Sequence, residues 1–167
     1  MKKAFLIGIN GKMGKMLVDC AKSCGYEIAG GIDAVAGGEY PVFGNADAVN
    51  VDFDVIIDFS RPSALGDIVA LIKTHKVPVV IATTGYNDKE LGAIADMAKS
   101  VPVFRSANMS LGVAAAKAAA VTAKNILGDG FDIEIVEKHH NQKADSPSGT
   151  ALLLADALAD RKDQIFA

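Results

Sequence analysis

A chain of 167 residues, 50% hydrophobic and 22% charged, is long enough to bury one ordinary core, or one domain and part of another. Its 17 basic and 20 acidic residues give a formal net charge of -3, aromatics make up 6%, and no run of like charge is present, which argues against nucleic acid or an anionic membrane surface as partner. Met1-Lys2-Lys3 leads into an apolar stretch too short for a signal-peptide core, and no segment has the apolar length to cross a bilayer, so a soluble, cytoplasmic protein is expected.

Residues 2–9 form a short apolar run, and over 11–24 Met13, Met16, Leu17, Cys20 and Ala21 recur at helical spacing, which predicts strand, tight turn and helix. Cys20 and Cys24 stand four residues apart on that helix; with no further ligands at metal spacing, they are expected to be buried free thiols. Residues 27–33 are a second strand, and 34–52, rich in Gly, Ala, Asn and Asp, read as a loop with little structure of its own. A buried strand follows over 55–59. Pro62 then opens a helix to about Lys76, with Leu65, Ile68, Val69, Leu71 and Ile72 on its apolar face. Residues 77–82 are the next strand, Asn87 or Asp88 caps a helix to Lys99, and 101–105 form another short strand.

Apolar strands alternating with amphipathic helices predict an α/β fold: a Rossmann-like parallel sheet with helices on both faces, because each crossover must return over the sheet. Residues 110–127 are Ala-rich and helical, and Gly128 and Gly130 break the chain. Beyond them 131–137 alternates apolar and acidic residues, the period of a half-exposed strand, and so announces a second domain of different sheet character.

Gly8-Ile9-Asn10-Gly11-Lys12-Met13-Gly14 sits where the first strand hands over to the first helix. Glycines at such a turn let the backbone approach a pyrophosphate, and the N–H groups at the helix start bind its charge. The spacing is G-x-x-G-x-x-G, with Asn10 where the standard dinucleotide turn has its second glycine. Asp33, at the end of the second strand, has the place of a carboxylate that accepts hydrogen bonds from ribose hydroxyls. It disfavours a 2'-phosphate and argues for NADH, whereas Lys12 in the turn argues for NADPH. A purely structural glycine turn is the competing interpretation. Asp58-Phe59-Ser60, Thr83-Thr84-Gly85 and Ser106-Ala107-Asn108-Met109 end later strands at the sheet edge where such folds hold ligands.

A second cluster runs from Glu137 to Ala151. His139, His140 and Lys143 can supply protons near neutral pH and attract an anion, and Pro147 introduces Ser148-Gly149-Thr150 at the start of a helix, where N–H groups and hydroxyls favour a carboxylate. The alternatives are a polar loop with a helix cap, or a metal held by His139, His140 and Asp145; adjacent histidines point apart and no further ligand stands at metal spacing, so no metal is expected.

The pattern E-x-H-H-x-x-K-x-D-x-P-S-G-T-A, filled at Glu137, His139, His140, Lys143, Asp145, Pro147, Ser148, Gly149, Thr150 and Ala151, resembles the signature of the bacterial 4-hydroxy-tetrahydrodipicolinate (dihydrodipicolinate) reductases of lysine and diaminopimelate biosynthesis. The turn at 8–14, the three strand ends and Asn108-Met109-Ser110-Leu111-Gly112-Val113 resemble that family's segments in the same order. The resemblance implies hydride transfer from NADH or NADPH to a cyclic, unsaturated dicarboxylate imine. It implies His139 as acid/base and Lys143 as proton donor, with His140, Ser148, Gly149 and Thr150 holding the substrate carboxylates. It implies cofactor contacts from Gly8, Ile9, Asn10, Gly11, Lys12, Met13, Asp33, Phe59, Ala82, Thr83, Thr84, Ser106, Ala107, Asn108 and Met109.

The implied organisation is a dinucleotide-binding domain over 1–109, a connecting helix and hinge over 110–130, and an incomplete α+β substrate domain over 131–167. Ala34 stands where some family members carry Arg after the acidic residue. The strands that complete the substrate domain and build the family's homotetramer are expected to be missing from this sequence. Two other readings compete: another Rossmann oxidoreductase of the semialdehyde or homoserine dehydrogenase type, which leaves the His-His-Lys run unexplained, and a cofactor-binding module without turnover.

Overall fold

Phe5, Leu6 and Ile7 are each at most 2% exposed, as a strand paired on both edges and covered on both faces requires. They belong to β1, Lys2–Ile7, the centre of the sheet in the computed structural model, which describes residues 1–139, 141 and 146–159. The chain divides into two compact units, Met1–Ser106 and Ala107–Ala167.

In the first unit β1 is followed by α1 (Lys12–Ala21), β2 (Tyr26–Ile32), β3 (Val42–Phe43), β4 (Val55–Asp58), α2 (Leu65–His75), β5 (Val79–Ile81), α3 (Asp88–Met97) and β6 (Val103–Arg105). All strand pairs are parallel and the order is β3-β2-β1-β4-β5-β6, so the chain winds outward from β1 in one direction and from β4 in the other. Right-handed crossovers of opposite direction place α1 on one face and α2 and α3 on the other. Alternation along β1 follows: Phe5 and Ile7 join Ile68, Leu71 and Ile72 of α2 and Ile94 and Met97 of α3 in one core. The Phe5 and Phe53 rings stack 4.6 Å apart within it. Asn87 begins α3 with a reciprocal capping box: its side chain accepts from Glu90 N and its own N–H donates to Glu90 Oε2.

Two expectations for this unit are corrected. The loop predicted over 34–52 contains β3, paired with β2, and a single 3-10 turn at Ala46–Ala48; a two-residue strand is too short to leave a periodic signal. Cys20 and Cys24 are both exposed, not buried. Gly14 and Ala21 are the buried residues of α1, with Leu17 and Val18 half-buried, so the inward stripe runs 14, 17, 18, 21 and leaves Met13, Met16 and Cys20 outside. Cys24 lies in the following 3-10 turn, Lys22–Cys24.

The second unit holds α4 (Leu111–Leu127), capped by Ser110, and α5 (Gly149–Leu158), capped by Ser148; the two helices pack on each other. The strand predicted over 131–137 is not formed. Alternation alone does not make a strand: its N–H and C=O groups need a neighbour, and among the described residues this unit offers no second strand.

Candidate functional site

The parallel order reverses between β1 and β4, and the two chain segments leaving those strands form the floor of a cleft of about 240 Å³ whose lining includes Gly8, Gly11, Asp33, Phe59, Ser60 and Arg61. Gly8 has φ +84°, and a Cβ there would stand 2.8 Å from Phe59 O, so the β1 and β4 ends approach too closely for any side chain. Gly14, in the first turn of α1, packs directly on the turn: a Cβ would overlap the carbonyl oxygens of Gly8 and Ile9. Gly8 N donates to Ile32 O at 2.8 Å and Gly11 N to Gly8 O at 3.1 Å. Gly11 is the N-cap of α1 and brings no capping side chain, which leaves first-turn N–H groups oriented for an anion at the positive end of the helix. A cradle that a Cβ would fill, facing an uncapped helix, fits a dinucleotide pyrophosphate.

Around this turn the side chains have distinct jobs. Ile9 is 3% exposed, so its side chain belongs to the core and only its main chain is available. Lys12 and Met13 are exposed. Asp33 accepts from Asn10 N at 2.9 Å through Oδ2 and from Val35 N at 3.0 Å through Oδ1. Asn10 Nδ2 donates to Val35 O at 2.7 Å and to Gly37 O at 2.9 Å.

At the β4 and β5 ends lies a carboxylate that the sequence reading left without a role. Asp58 is fully buried; Ser60 N (3.1 Å), Ser60 Oγ and Tyr86 Oη (3.2 Å) all donate to it, while Ser60 N also donates to Thr83 Oγ1 at 2.9 Å. Burial pushes the Asp58 carboxyl above its ordinary value, partly offset by these donors. Burial, with the Asp58 charge beside it, likewise raises the Tyr86 phenol, over whose ring Arg105 Cζ sits at 5.9 Å from the centroid. Phe59 lines the cleft, Ala82 N bonds Asp58 O at 2.9 Å, and Thr84 is exposed. Ser106 continues β6, its N–H on Ile81 O at 3.1 Å. Arg61, also missed, places a cation in the cleft; the only sequence signal was its position one residue past the β4 turn.

The second unit brings together residues assigned to different tasks. Asn108 Nδ2 donates to Thr150 Oγ1 at 2.7 Å and its Oδ1 accepts from Ser110 N at 2.8 Å; Ala107 and Met109 beside it are exposed. Ser148, 3% exposed, caps α5 by accepting from Ala151 N at 3.0 Å, which directs the N–H groups of Gly149 and Thr150 outward from the helix start. Glu137 binds both neighbours: Oε1 accepts from Ser148 N at 2.9 Å and Oε2 lies 3.5 Å from His139 Nδ1. Its part in the site was legible in principle, since residues two apart on an extended chain share a face. His140, Lys143 and Asp145 lie outside the described residues. Among the described residues no group of three His, Cys, Asp or Glu side chains is placed to hold a metal, and no helix is long and apolar enough to cross a membrane.

Comparison with known proteins agrees with this layout. A family model described as dihydrodipicolinate reductase, N-terminus, matches residues 2–109, and one described as dihydrodipicolinate reductase, C-terminus, matches 112–165. The chain is 45% identical over 163 residues to a 4-hydroxy-tetrahydrodipicolinate reductase of Clostridium tetani, a match covering 96% of this chain and 64% of that protein. A Zymomonas mobilis protein of the same name is 40% identical over 162 residues, covering 97% and 63%. A solved structure of dipicolinate-bound dihydrodipicolinate reductase from Paenisporosarcina sp. TG-14 superposes with a TM-score of 0.74 at 29% identity, over 95% of this chain and 66% of that one. The chain thus spans just under two thirds of the length of these relatives.

Proposed function

Because this chain belongs to the dihydrodipicolinate reductase family, we propose that it acts as an NAD(P)H-dependent reductase of 4-hydroxy-tetrahydrodipicolinate, the reaction named by its relatives. The observation that carries this reading is the glycine turn at the β1/β4 switch point, uncapped at the α1 N-terminus and followed by an acidic residue directly after β2.

In the first unit the N–H groups of Lys12 and Met13 bind the pyrophosphate, and the backbone around Gly8, Ile9 and Gly11 admits it closely. Asp33 accepts from the adenosine ribose. Lys12 offers a cation to a 2'-phosphate, so both NADH and NADPH are taken. Phe59, Ala82, Thr83, Thr84 and Ser106 complete the cofactor contacts of this unit. The bound cofactor supplies hydride.

In the second unit Gly149 and Thr150, at the start of a helix capped by Ser148, bind a substrate carboxylate through N–H groups. Asn108 fixes the Thr150 hydroxyl. His139, held beside Glu137, moves the proton that balances hydride addition. On the family pattern, Lys143 donates a proton and His140 pairs with a carboxylate. Homotetramer assembly and a cytoplasmic setting belong to the same reading, and size-exclusion chromatography tests the first.

A coupled assay tests the activity. Aspartate semialdehyde and pyruvate are condensed by dihydrodipicolinate synthase in the presence of this chain and NADH or NADPH. Cofactor consumption that needs every component is the expected result. Cofactor binding without consumption would replace the reductase with a dinucleotide-binding module.

A further inference from the structure

Asn10 stands where a standard dinucleotide turn has glycine, and it uses its side chain in a way glycine has no means to match. Both hydrogens of its amide are donated across to the segment after β2, to Val35 O at 2.7 Å and Gly37 O at 2.9 Å. In return Asp33 draws Asn10 N to one carboxylate oxygen at 2.9 Å and Val35 N to the other at 3.0 Å. Three of these bonds tie the 8–14 turn to residues 33–37, and the fourth, within that segment, closes the lock. The segment it holds passes through Gly37 at φ +94° and Gly38 at φ +127°, and a Cβ at Gly38 would stand 3.3 Å from Asn10 Oδ1. Glycine-rich backbone of this kind has many alternatives, so its shape depends on the partners it is given.

We propose that Asn10 sets cofactor specificity: its carboxamide fixes residues 34–38 and thereby holds the Asp33 carboxylate in the one orientation that receives an unphosphorylated ribose. A carboxylate has about four acceptor positions. Asn10 N and Val35 N take two, and the remaining two match the two neighbouring hydroxyls of a ribose. A 2'-phosphate replaces one of those donors with an anion, so NADPH gains less from a fixed Asp33 than NADH does. The proposal rests on the dinucleotide reading of the first unit.

The test uses the full chain with Asn10→Gly, which restores the standard turn, and Asn10→Ala. Kd values for NADH and NADPH are measured by fluorescence titration, and amide exchange of residues 34–38 is followed without cofactor. Asn10→Gly and Asn10→Ala should each speed exchange in 34–38, weaken NADH about tenfold and weaken NADPH about threefold, the scale of one lost hydrogen bond to a charged group. The NADPH/NADH preference therefore moves about threefold toward NADPH. Binding by the unaltered chain with the same preference in both variants overturns the specificity role while leaving the dinucleotide site intact. If the unaltered chain binds neither cofactor, the dinucleotide reading itself fails and the specificity role falls with it.

Discussion

Replacing Gly14 with alanine should destabilise the protein even though alanine is the better helix former. Helix propensity alone favours the change by about 1 kcal/mol. Against it, the new Cβ lands in the carbonyls of Gly8 and Ile9, 2.6 Å from the Ile9 carbonyl carbon, and backbone has no rotamer by which to turn aside. Overpacking of this kind costs about 3 kcal/mol at the upper end of its range, which leaves a net loss of about 2 kcal/mol. Gly92, inside α3, supplies the control, because a Cβ there meets nothing within 4 Å. Gly92→Ala should therefore stabilise by about 1 kcal/mol. At about 4 °C per kcal/mol, thermal unfolding should place Gly14→Ala roughly 8 °C below the unaltered chain and Gly92→Ala roughly 4 °C above it. Urea titration should give the same order with similar slopes. If Gly14→Ala melted at or above the unaltered chain, the close seating of α1 on the turn, and with it the cradle for the pyrophosphate, would be wrong.

Asp33→Ala releases the N–H groups of Asn10 and Val35 as well as the ribose, so both cofactors should weaken, NADH about tenfold more than NADPH; equal losses in paired titrations would make Asp33 a structural residue only. Lys12→Ala should act the opposite way, weakening NADPH alone, and an unchanged NADPH/NADH ratio would remove Lys12 from cofactor choice. Burial raises the Asp58 carboxyl above its ordinary 3.8, so the folded protein keeps this proton where the unfolded chain releases it, and the associated stability is complete below 3.8 and lost as pH rises through the raised value. Asp58→Asn, of the same shape, escapes that loss: its unfolding free energy relative to the unaltered chain should climb with pH above 3.8 and then level off, whereas a flat difference would show that Asp58 titrates as it does in the unfolded chain. His139→Gln should lower kcat by about 100-fold with the NADH Kd unchanged, the scale for a positioned proton donor; a lost NADH affinity at unchanged kcat would move His139 to the cofactor site.

The first unit was legible because strands covered on both faces, such as β1 and β4, read as continuous apolar runs, and the capping residue of α3 announced where that helix begins; in the second unit Ser148 did the same for α5. What failed did so for physical reasons. The inward stripe of α1 is anchored by Gly14, a residue with no side chain to register as hydrophobic, so the apparent stripe slid by one position and carried Cys20 inward with it. Residues 131–137 have the alternation of a strand, but pairing is a property of two segments and only one is present among the described residues of that unit. The turn glycines and Asp33 could be read from spacing. The part played by Asp58 could not, because it depends on parallel register bringing Tyr86, twenty-eight positions away, to the same sheet edge. Asn10 was visible as a departure from the glycine pattern, while its partners Val35 and Gly37 emerge only once the segment after β2 has folded back over the turn.

Transfer of isotope from the cofactor tests the central claim most directly. NADH deuterated on one face of its nicotinamide C4, and separately on the other, would be supplied to this chain with the product of the synthase reaction, and the reduced product analysed by mass spectrometry. An NAD(P)H-dependent reductase should deliver deuterium from one of the two labelled forms and from the other none. NADH that binds while the product gains no deuterium from either form would contradict the account.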